Sequence, residues 1–130
     1  MGTSVTLTPG LTDSDTSGFP MEEITAMVSG GPRLVENGAI CTTLEPGFQE
    51  ARFTSAVTSR TALGKLADGK LVIASTGSAS IQQLRELMLQ LGCVEAVNLD
   101  GGGSTALAYQ GKLIRSPGRE LTTTLQIFTH

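Results

Sequence analysis

Apolar and polar positions alternate in short runs along much of the chain, and turn-forming pairs of residues separate these runs. Alternation of this kind is typical of half-buried β-strands. Asn37-Gly38 lies between two such runs, and Asn-Gly in that position is a strong hairpin signal. Gln110-Gly111 separates two later runs in the same way. Strands are therefore predicted at residues 5–7, 33–35, 39–41, 57–63, 70–74, 94–99, 105–109, 112–114 and 121–128.

One segment follows helical spacing instead. Apolar residues recur at intervals of three and four over residues 81–91, which predicts an amphipathic helix with one buried face. Ser80 suits the N-cap of this helix, and Gly92 suits the position just beyond its end. A further helical turn is expected to begin at Pro20, whereas residues 42–55 are expected to form a loop.

This order of elements predicts an α+β fold, a single domain in which one or two helices pack on a mixed β-sheet. The length of 130 residues fits one domain. We expect residues 21–130 to form this domain and residues 1–20, rich in Thr, Ser, Gly and Asp, to form an irregular N-terminal arm. Residues 94–99 are apolar on both faces, as expected for a central strand that is covered on both sides.

Charge and residue usage argue against several classes of protein. The net charge of −3 disfavours a nucleic-acid partner. No apolar run reaches the roughly 18 residues of a membrane span, and Met1 leads into polar sequence without the apolar stretch of a signal peptide. Cys41 and Cys93 are expected to be buried or half-buried free thiols. Because His130 is the single histidine, a metal site built with these cysteines is not expected, and a Ser-His-Asp triad is disfavoured. No cofactor is expected.

The segment from Asp100 to Thr105 carries the strongest signal for a functional site. A predicted buried strand ends in one carboxylate, and three glycines and two hydroxyl residues follow it. Three consecutive glycines are costly to order, so they indicate a backbone path that side chains would obstruct. Such a loop presents bare N–H groups, which form good receptors for anions. Sites in sheet-containing folds often lie beyond strand ends, and Asp100 occupies such a position.

Four blocks, in order and spacing, resemble the phosphodiester glycosidase family. They are Gly-Gly-Pro-Arg-Leu-Val at 30–35 with Asn-Gly after it, Ser-Arg-Thr-Ala-Leu-Gly at 59–64, Val-Asn-Leu-Asp-Gly-Gly-Gly-Ser-Thr at 97–105, and Gly-Arg-Glu at 118–120. The resemblance runs from about residue 21 to 130. It implies hydrolysis of a sugar-1-phosphate diester, or of a related surface saccharide, with release of the sugar. It also suggests a secreted, lumenal or cell-envelope location.

The resemblance assigns roles to particular residues. Asp100 is the expected catalytic base or nucleophile, and Arg60 is expected to act with it on the phosphate, because a guanidinium binds phosphate through two parallel hydrogen bonds. Arg119 is a second phosphate ligand. Further substrate contacts are expected from Thr61, Gly101, Gly102, Gly103, Ser104 and Thr105. A second catalytic carboxylate is not identified.

Each assignment has a structural alternative. Asp100 could bond to the backbone of its own turn, and the two arginines could form ion pairs, including one with Asp100. The three glycines could form a plain tight turn, with Ser104 and Thr105 capping the next element. Gly30-Gly31 could line the site or simply end a helix.

Two departures from the family pattern support a different function. The family's upstream Asn-Gly-x-Phe segment is not found, and Ser75-Thr76-Gly77 stands where relatives often carry Asp-Gly-Arg. The alternative hypothesis is therefore a catalytically silent module that binds a saccharide or phosphate. A sheet lacking the upstream segment would expose an edge, so self-association into a homo-oligomer is a third expectation.

Overall fold

A computed structural model describes residues 26–128, and its central feature is a five-stranded antiparallel sheet. The strands lie in the order β2-β1-β5-β3-β4, so the strand that leads to Asp100 is the middle one. A separate hairpin of two strands follows the glycine loop. The strands are β1 Arg33–Glu36, β2 Ala39–Ile40, β3 Thr58–Leu66, β4 Leu71–Ala79, β5 Cys93–Asn98, β6 Leu107–Tyr109 and β7 Lys112–Arg115. The helices are α1 Ala51–Thr54 and α2 Ile81–Gln90, with a 3₁₀ turn at Gly102–Ser104.

The predicted α+β class is confirmed. Strand pairs within the described residues are all antiparallel. The expected mixed sheet would also have contained parallel pairs. Both hairpin turns form where their sequences predicted them. Asn37 and Gly38 have φ values of +51° and +75°, and Gln110 and Gly111 have φ values of +48° and +74°. Two consecutive positive φ values define the tight turn that matches strand twist.

Helix α2 begins and ends as its sequence predicts. The Ser80 hydroxyl accepts from the Gln83 N–H, and the Gln83 side chain accepts from the Ser80 N–H, which together form a capping box. After the helix, Gly92 has a φ of +83°, a conformation that glycine adopts without strain. The buried side of the helix carries Ile81, Leu84, Arg85 and Met88.

The core lies between α2 and one face of the sheet. Gly64 on β3 lets the helix approach closely, since a Cβ there would lie 2.5 Å from Cys93 Sγ and 2.7 Å from the Met88 methyl carbon. The buried core residues are Leu34, Val35, Ala62, Ile81, Leu84, Met88, Cys93 and Ala96. On the other face, Leu63, Leu71 and Val97 line a shallow groove of about 440 Å³. The α2 contacts fix β5, and hence the position of the residues that follow it.

Four local predictions differ from the structure or fall outside the residues it describes. Residues 42–55 contain the short helix α1, which four residues with no periodic pattern could not reveal. Residues 121–128 form no strand, because alternation alone does not provide a neighbouring strand to pair with; Phe128 is 78% exposed. Of the helical turn expected from Pro20, the described residues 26–28 are not helical, and the strand at 5–7 lies outside the described residues. No helix within residues 26–128 has the length and apolar character needed to cross a membrane.

Candidate active site

The residues that follow β5 open onto a cleft of about 610 Å³ at one end of the sheet. Four of the predicted site residues line it: Arg60, Asp100, Gly101 and Gly102. Further walls come from the segment before β1 and from the region around α1, namely Ser29, Gly30, Gly31, Phe48, Arg52, Phe53 and Ala56. Thr58 at the start of β3, Asn98 at the end of β5 and Leu99 complete the lining. Among the described residues that line the cleft, Asp100 is the one carboxylate.

Asp100 lies at the rim with its side chain 77% exposed. Its Oδ1 accepts from the Gly101 N–H at 2.9 Å, and its Oδ2 lies 3.4 Å from Arg119 Nη2. Hydrogen bonding from the Ser104 hydroxyl, together with the Gly101 N–H and the charge of Arg119, holds the pKa of Asp100 below its ordinary value of 3.8. The carboxylate is therefore ionised at neutral pH, so it can act as a nucleophile or weak base but not as a proton donor.

Ser104 connects Asp100 to Arg119. The Arg119 Nε donates to Ser104 Oγ at 3.0 Å, and its Nη2 also donates to that oxygen. The segment that carries Arg119 is attached to the glycine loop, since the Gly118 N–H donates to the Gly103 carbonyl at 2.8 Å. The predicted ion pair between Asp100 and Arg119 is thus present, and it brings the 118–120 block to the site although Arg119 does not line the cleft.

The glycine loop packs tightly on the start of β3. A Cβ at Gly101 would lie 2.7 Å from the Ser59 carbonyl oxygen, and Gly102 has a φ of +59°. The loop closes on itself through Ser104 N–H to the Gly101 carbonyl and Thr105 N–H to the Gly102 carbonyl, both at 3.1 Å. The three glycines therefore do form a tight turn, which was the structural alternative to a ligand-binding loop. The N–H groups of Gly102 and Gly103 make no hydrogen bond to a described residue and stay available to a ligand.

Arg60 is almost fully buried at 3% exposure, and its partners are backbone carbonyls instead of carboxylates. Its Nη2 donates to the carbonyls of Arg52 at 2.7 Å and Ala56 at 2.9 Å, and its Nε donates to the Ala79 carbonyl at 3.1 Å. Burial lowers the pKa of Arg60. The guanidinium joins β3 to the end of β4 and to the region of α1, and Nη1 donates to no described residue.

Two predicted contacts lie away from the cleft. Thr61 is 8% exposed, and the sheet register pairs it with Ser75, so the alternation of β3 directs it to the opposite face from Arg60. Its carbonyl accepts from the Leu99 N–H at 2.8 Å, which fixes the path of the chain just before Asp100. Thr105 is 2% exposed and lies beneath the loop. Neither side chain lines the cleft.

Asn98 lines the cleft although the sequence did not single it out, and it does so together with the two glycines before β1. The Asn98 amide donates to the Gly31 carbonyl at 2.8 Å, and its backbone carbonyl accepts from the Gly31 N–H at 2.7 Å. A Cβ at Gly31 would collide with the Phe48 ring. The Gly30-Gly31 pair therefore lines the cleft, which is one of the two roles that its sequence left open. For Asn98 the available signal was strand alternation, because residues two apart on a strand point to the same face and Asp100 is two residues further on.

Arg52 is another residue that sequence reasoning missed. It lines the cleft from α1, its side chain is 65% exposed, and its Nη2 donates to Glu50 Oε1 at 2.9 Å. The residues 42–55 carry mixed charge, and nothing in their spacing distinguishes Arg52 from a solvated surface residue. Among the described residues there is no group of three or more His, Cys, Asp or Glu side chains that could hold a metal ion.

The fold and the cleft define an α+β domain in which one ionised carboxylate, a glycine loop and several arginines meet at the end of a central strand. Residues 3–128 match the phosphodiester glycosidase family, and the chain belongs to that family. The resemblance seen in the four sequence blocks is thereby confirmed.

Known relatives share this domain over only part of their length. The chain is 28% identical over 106 residues to human N-acetylglucosamine-1-phosphodiester alpha-N-acetylglucosaminidase, which covers 70% of this chain and 21% of the human protein. The catalytic domain of the zebrafish enzyme of that name, auto-inhibited by its pro-peptide, superposes with a TM-score of 0.57 at 25% identity, over 81% of this chain and 37% of that one. A hypothetical protein from Synechocystis superposes with a TM-score of 0.56 at 34% identity, over 68% and 18% of the two chains.

Proposed function

We propose that this chain forms the site of a hydrolase that cleaves a glycosyl phosphodiester and releases the sugar. The observation that carries the proposal is the meeting of ionised Asp100 with Arg119 and the glycine loop at the mouth of a cleft. Membership of the phosphodiester glycosidase family supports the reaction class, and the relatives named for N-acetylglucosamine phosphodiesters support an amino sugar as one candidate substrate.

The low pKa of Asp100 favours nucleophilic attack over proton abstraction. In this scheme a carboxylate oxygen of Asp100 forms a bond to the anomeric carbon while the bond from that carbon to the phosphate oxygen breaks. The phosphate monoester departs with the electron pair. Water then forms a bond to the anomeric carbon while the bond from that carbon to Asp100 breaks, which regenerates the carboxylate and releases the proton of the water to solvent. Phosphate is a good leaving group and needs little protonation, so a single carboxylate is sufficient for this chemistry.

The cations and the loop have the complementary task of binding the phosphate. Arg119 is held only loosely to Asp100, at a distance of 3.4 Å that is long for a charge-assisted hydrogen bond. A substrate phosphate can therefore draw the guanidinium toward itself and leave the carboxylate free to attack. The N–H groups of Gly102 and Gly103 lie beside this position and can donate to the same phosphate.

A silent binding module is the second candidate function. It is favoured by the absence of a second carboxylate among the described residues of the cleft, because most glycosidases use two. Ser75-Thr76-Gly77, the other departure from the family pattern, lies within β4. In this case the cleft would bind the phosphorylated sugar without breaking the glycosidic bond.

Turnover of sugar-1-phosphate diesters by the wild-type chain and by Asp100→Asn separates these candidates. We expect the wild-type chain to release sugar and the variant to lose about 10²-fold or more of that activity, because the amide cannot attack the anomeric carbon. Asp68→Asn is the matched control, since Asp68 also has a lowered pKa but lies in the turn between β3 and β4. Undiminished turnover by Asp100→Asn would remove Asp100 from the chemistry, and binding without turnover by the wild-type chain would establish the silent module.

A further inference from the structure

Arg52 is the exposed cation of the cleft. Its guanidinium lies over the Phe53 ring, 4.9 Å from the centroid, and its ionic partner is Glu50, itself 62% exposed. An exposed pair of this kind contributes little to stability, so the guanidinium can exchange its partner at small cost. Arg60, in contrast, has Nε and Nη2 committed to three backbone carbonyls.

The position of Arg52 depends on Arg60. Helix α1 has four residues and none of them is fully buried, although Phe53 packs partly against the core, so a helix this short depends on contacts with other elements. Arg60 Nη2 bonds directly to the Arg52 carbonyl and to the Ala56 carbonyl just beyond the helix. The edge of Phe53 also packs against Phe48, with ring centroids 5.0 Å apart. These contacts fix the helix beside the cleft, which Gly101 and Gly102 also line.

Asn98 gives a separate indication that the cleft holds a polar ligand. Its side chain is 3% exposed and lines the cleft, yet its Oδ1 has no hydrogen-bond partner among the described residues. Oδ1 is itself buried, and buried polar atoms almost always have a partner, so this acceptor is satisfied only when the amide turns toward a donor in the cleft. Sugar hydroxyl groups are donors of this kind.

We infer that Arg52 contacts the phosphate of the bound substrate and that Arg60 is a positioning residue that holds Arg52 in place. The inference rests on the proposed function, because it takes the ligand to be a phosphorylated sugar. It changes the role expected for Arg60 from direct phosphate contact to support of α1. Arg52 and Arg119 would then grip the phosphate from two sides, while the sugar ring lies over Asn98.

Calorimetric titration of the whole chain with glucose 1-phosphate tests this assignment. Arg52→Gln should weaken binding about tenfold or more, because a charge-assisted contact is lost, and should leave the affinity for unphosphorylated glucose unchanged. Arg33→Gln is the matched control: Arg33 is also exposed and also pairs with nearby glutamates, but it lines the other groove. The affinity of the Arg33→Gln variant for glucose 1-phosphate should stay within about twofold of the wild-type value.

The positioning role of Arg60 has its own readout. Arg60→Gln should lower the midpoint of thermal unfolding, whereas Arg52→Gln should not. Arg60→Gln should lower the affinity of the wild-type chain for glucose 1-phosphate. In a chain that already carries Arg52→Gln, it should lower that affinity no further. Additive losses in the double variant would overturn the positioning role.

Two results distinguish the failure of this inference from failure of the proposed function. If the wild-type chain binds glucose 1-phosphate and Arg52→Gln binds it equally well, Arg52 is not a phosphate ligand and the proposed function stands. If the wild-type chain does not bind glucose 1-phosphate at all, both are contradicted.

Discussion

Asp100, Ser104 and Arg119 form a small network in which each side chain determines the state of the others. Ser104 accepts from Arg119, and the same hydroxyl is the largest influence that lowers the pKa of Asp100, so Ser104 lies between the carboxylate and its counter-ion. Since the folded-state pKa of Asp100 lies below the unfolded value of 3.8, the ionised carboxylate stabilises the fold above that pH. The stabilisation is lost as the pH falls through the folded pKa.

Removal of the Ser104 hydroxyl should raise the pKa of Asp100. Ser104→Ala deletes the largest of the contributions that lower it, so the carboxyl group should titrate closer to 3.8. Carbon-detected NMR titration of the aspartate carboxyl groups measures this directly. Asp68 provides an internal control in the same spectra, because its lowered pKa depends on Lys70 and should not move. An unchanged pKa at Asp100 would show that Ser104 does not control the carboxylate.

At the scale of the element, the glycines of the loop differ in how strictly their positions require the absence of a side chain. Gly101 faces the Ser59 carbonyl, a backbone atom that cannot move aside, whereas a Cβ at Gly103 would meet only the Arg119 Cδ, at 4.0 Å. Gly101→Ala should therefore displace the loop and weaken binding of glucose 1-phosphate about tenfold or more. Gly103→Ala is the matched control and should bind within about twofold of wild type. Equal behaviour of the two variants in calorimetry would mean that the loop is not held by its contact with β3.

The elements that could be predicted from the sequence are those with local chemical signals. The hairpin at Asn37-Gly38 follows from residues that accept positive φ, and α2 follows from its apolar period and the Ser80 cap. The location of Asp100 at the end of a central strand was predictable for the same reason, since a buried run precedes it. These signals act over a few residues and do not depend on the rest of the fold.

The parts that could not be predicted depend on contacts between distant segments. The partners of Arg60 include the Ala79 carbonyl, 19 residues away, and the carbonyls around α1, a helix with no pattern of its own. Residues 121–128 alternate as a strand does, but they meet no neighbouring strand among the described residues. The family resemblance made Thr61 an expected substrate contact, yet it follows Arg60 directly on β3, and successive strand residues point to opposite faces.

At the scale of the whole molecule, three arginines lie in or beside the cleft although the net charge of the chain is negative. The chain carries a net charge of −3, yet two arginines line the cleft and a third, Arg119, pairs with Asp100 at its rim. A protein with this overall charge repels anions in general, so an anionic substrate must be attracted by the local field of the cleft. The groove around Leu63 and Val97 is also lined by two cations, Arg33 and Lys65, but there they are accompanied by two carboxylates, Glu45 and Glu95.

The most direct test of the account is a crystal structure of the chain with glucose 1-phosphate bound. We expect the phosphate to lie in the cleft beyond β5, within about 3 Å of guanidinium nitrogens of Arg52 and Arg119. The anomeric carbon should face the Asp100 carboxylate. A phosphate found in the groove lined by Leu63 and Val97, or a cleft left empty at saturating ligand, would contradict the claim that the end of β5 is a site for phosphorylated sugars.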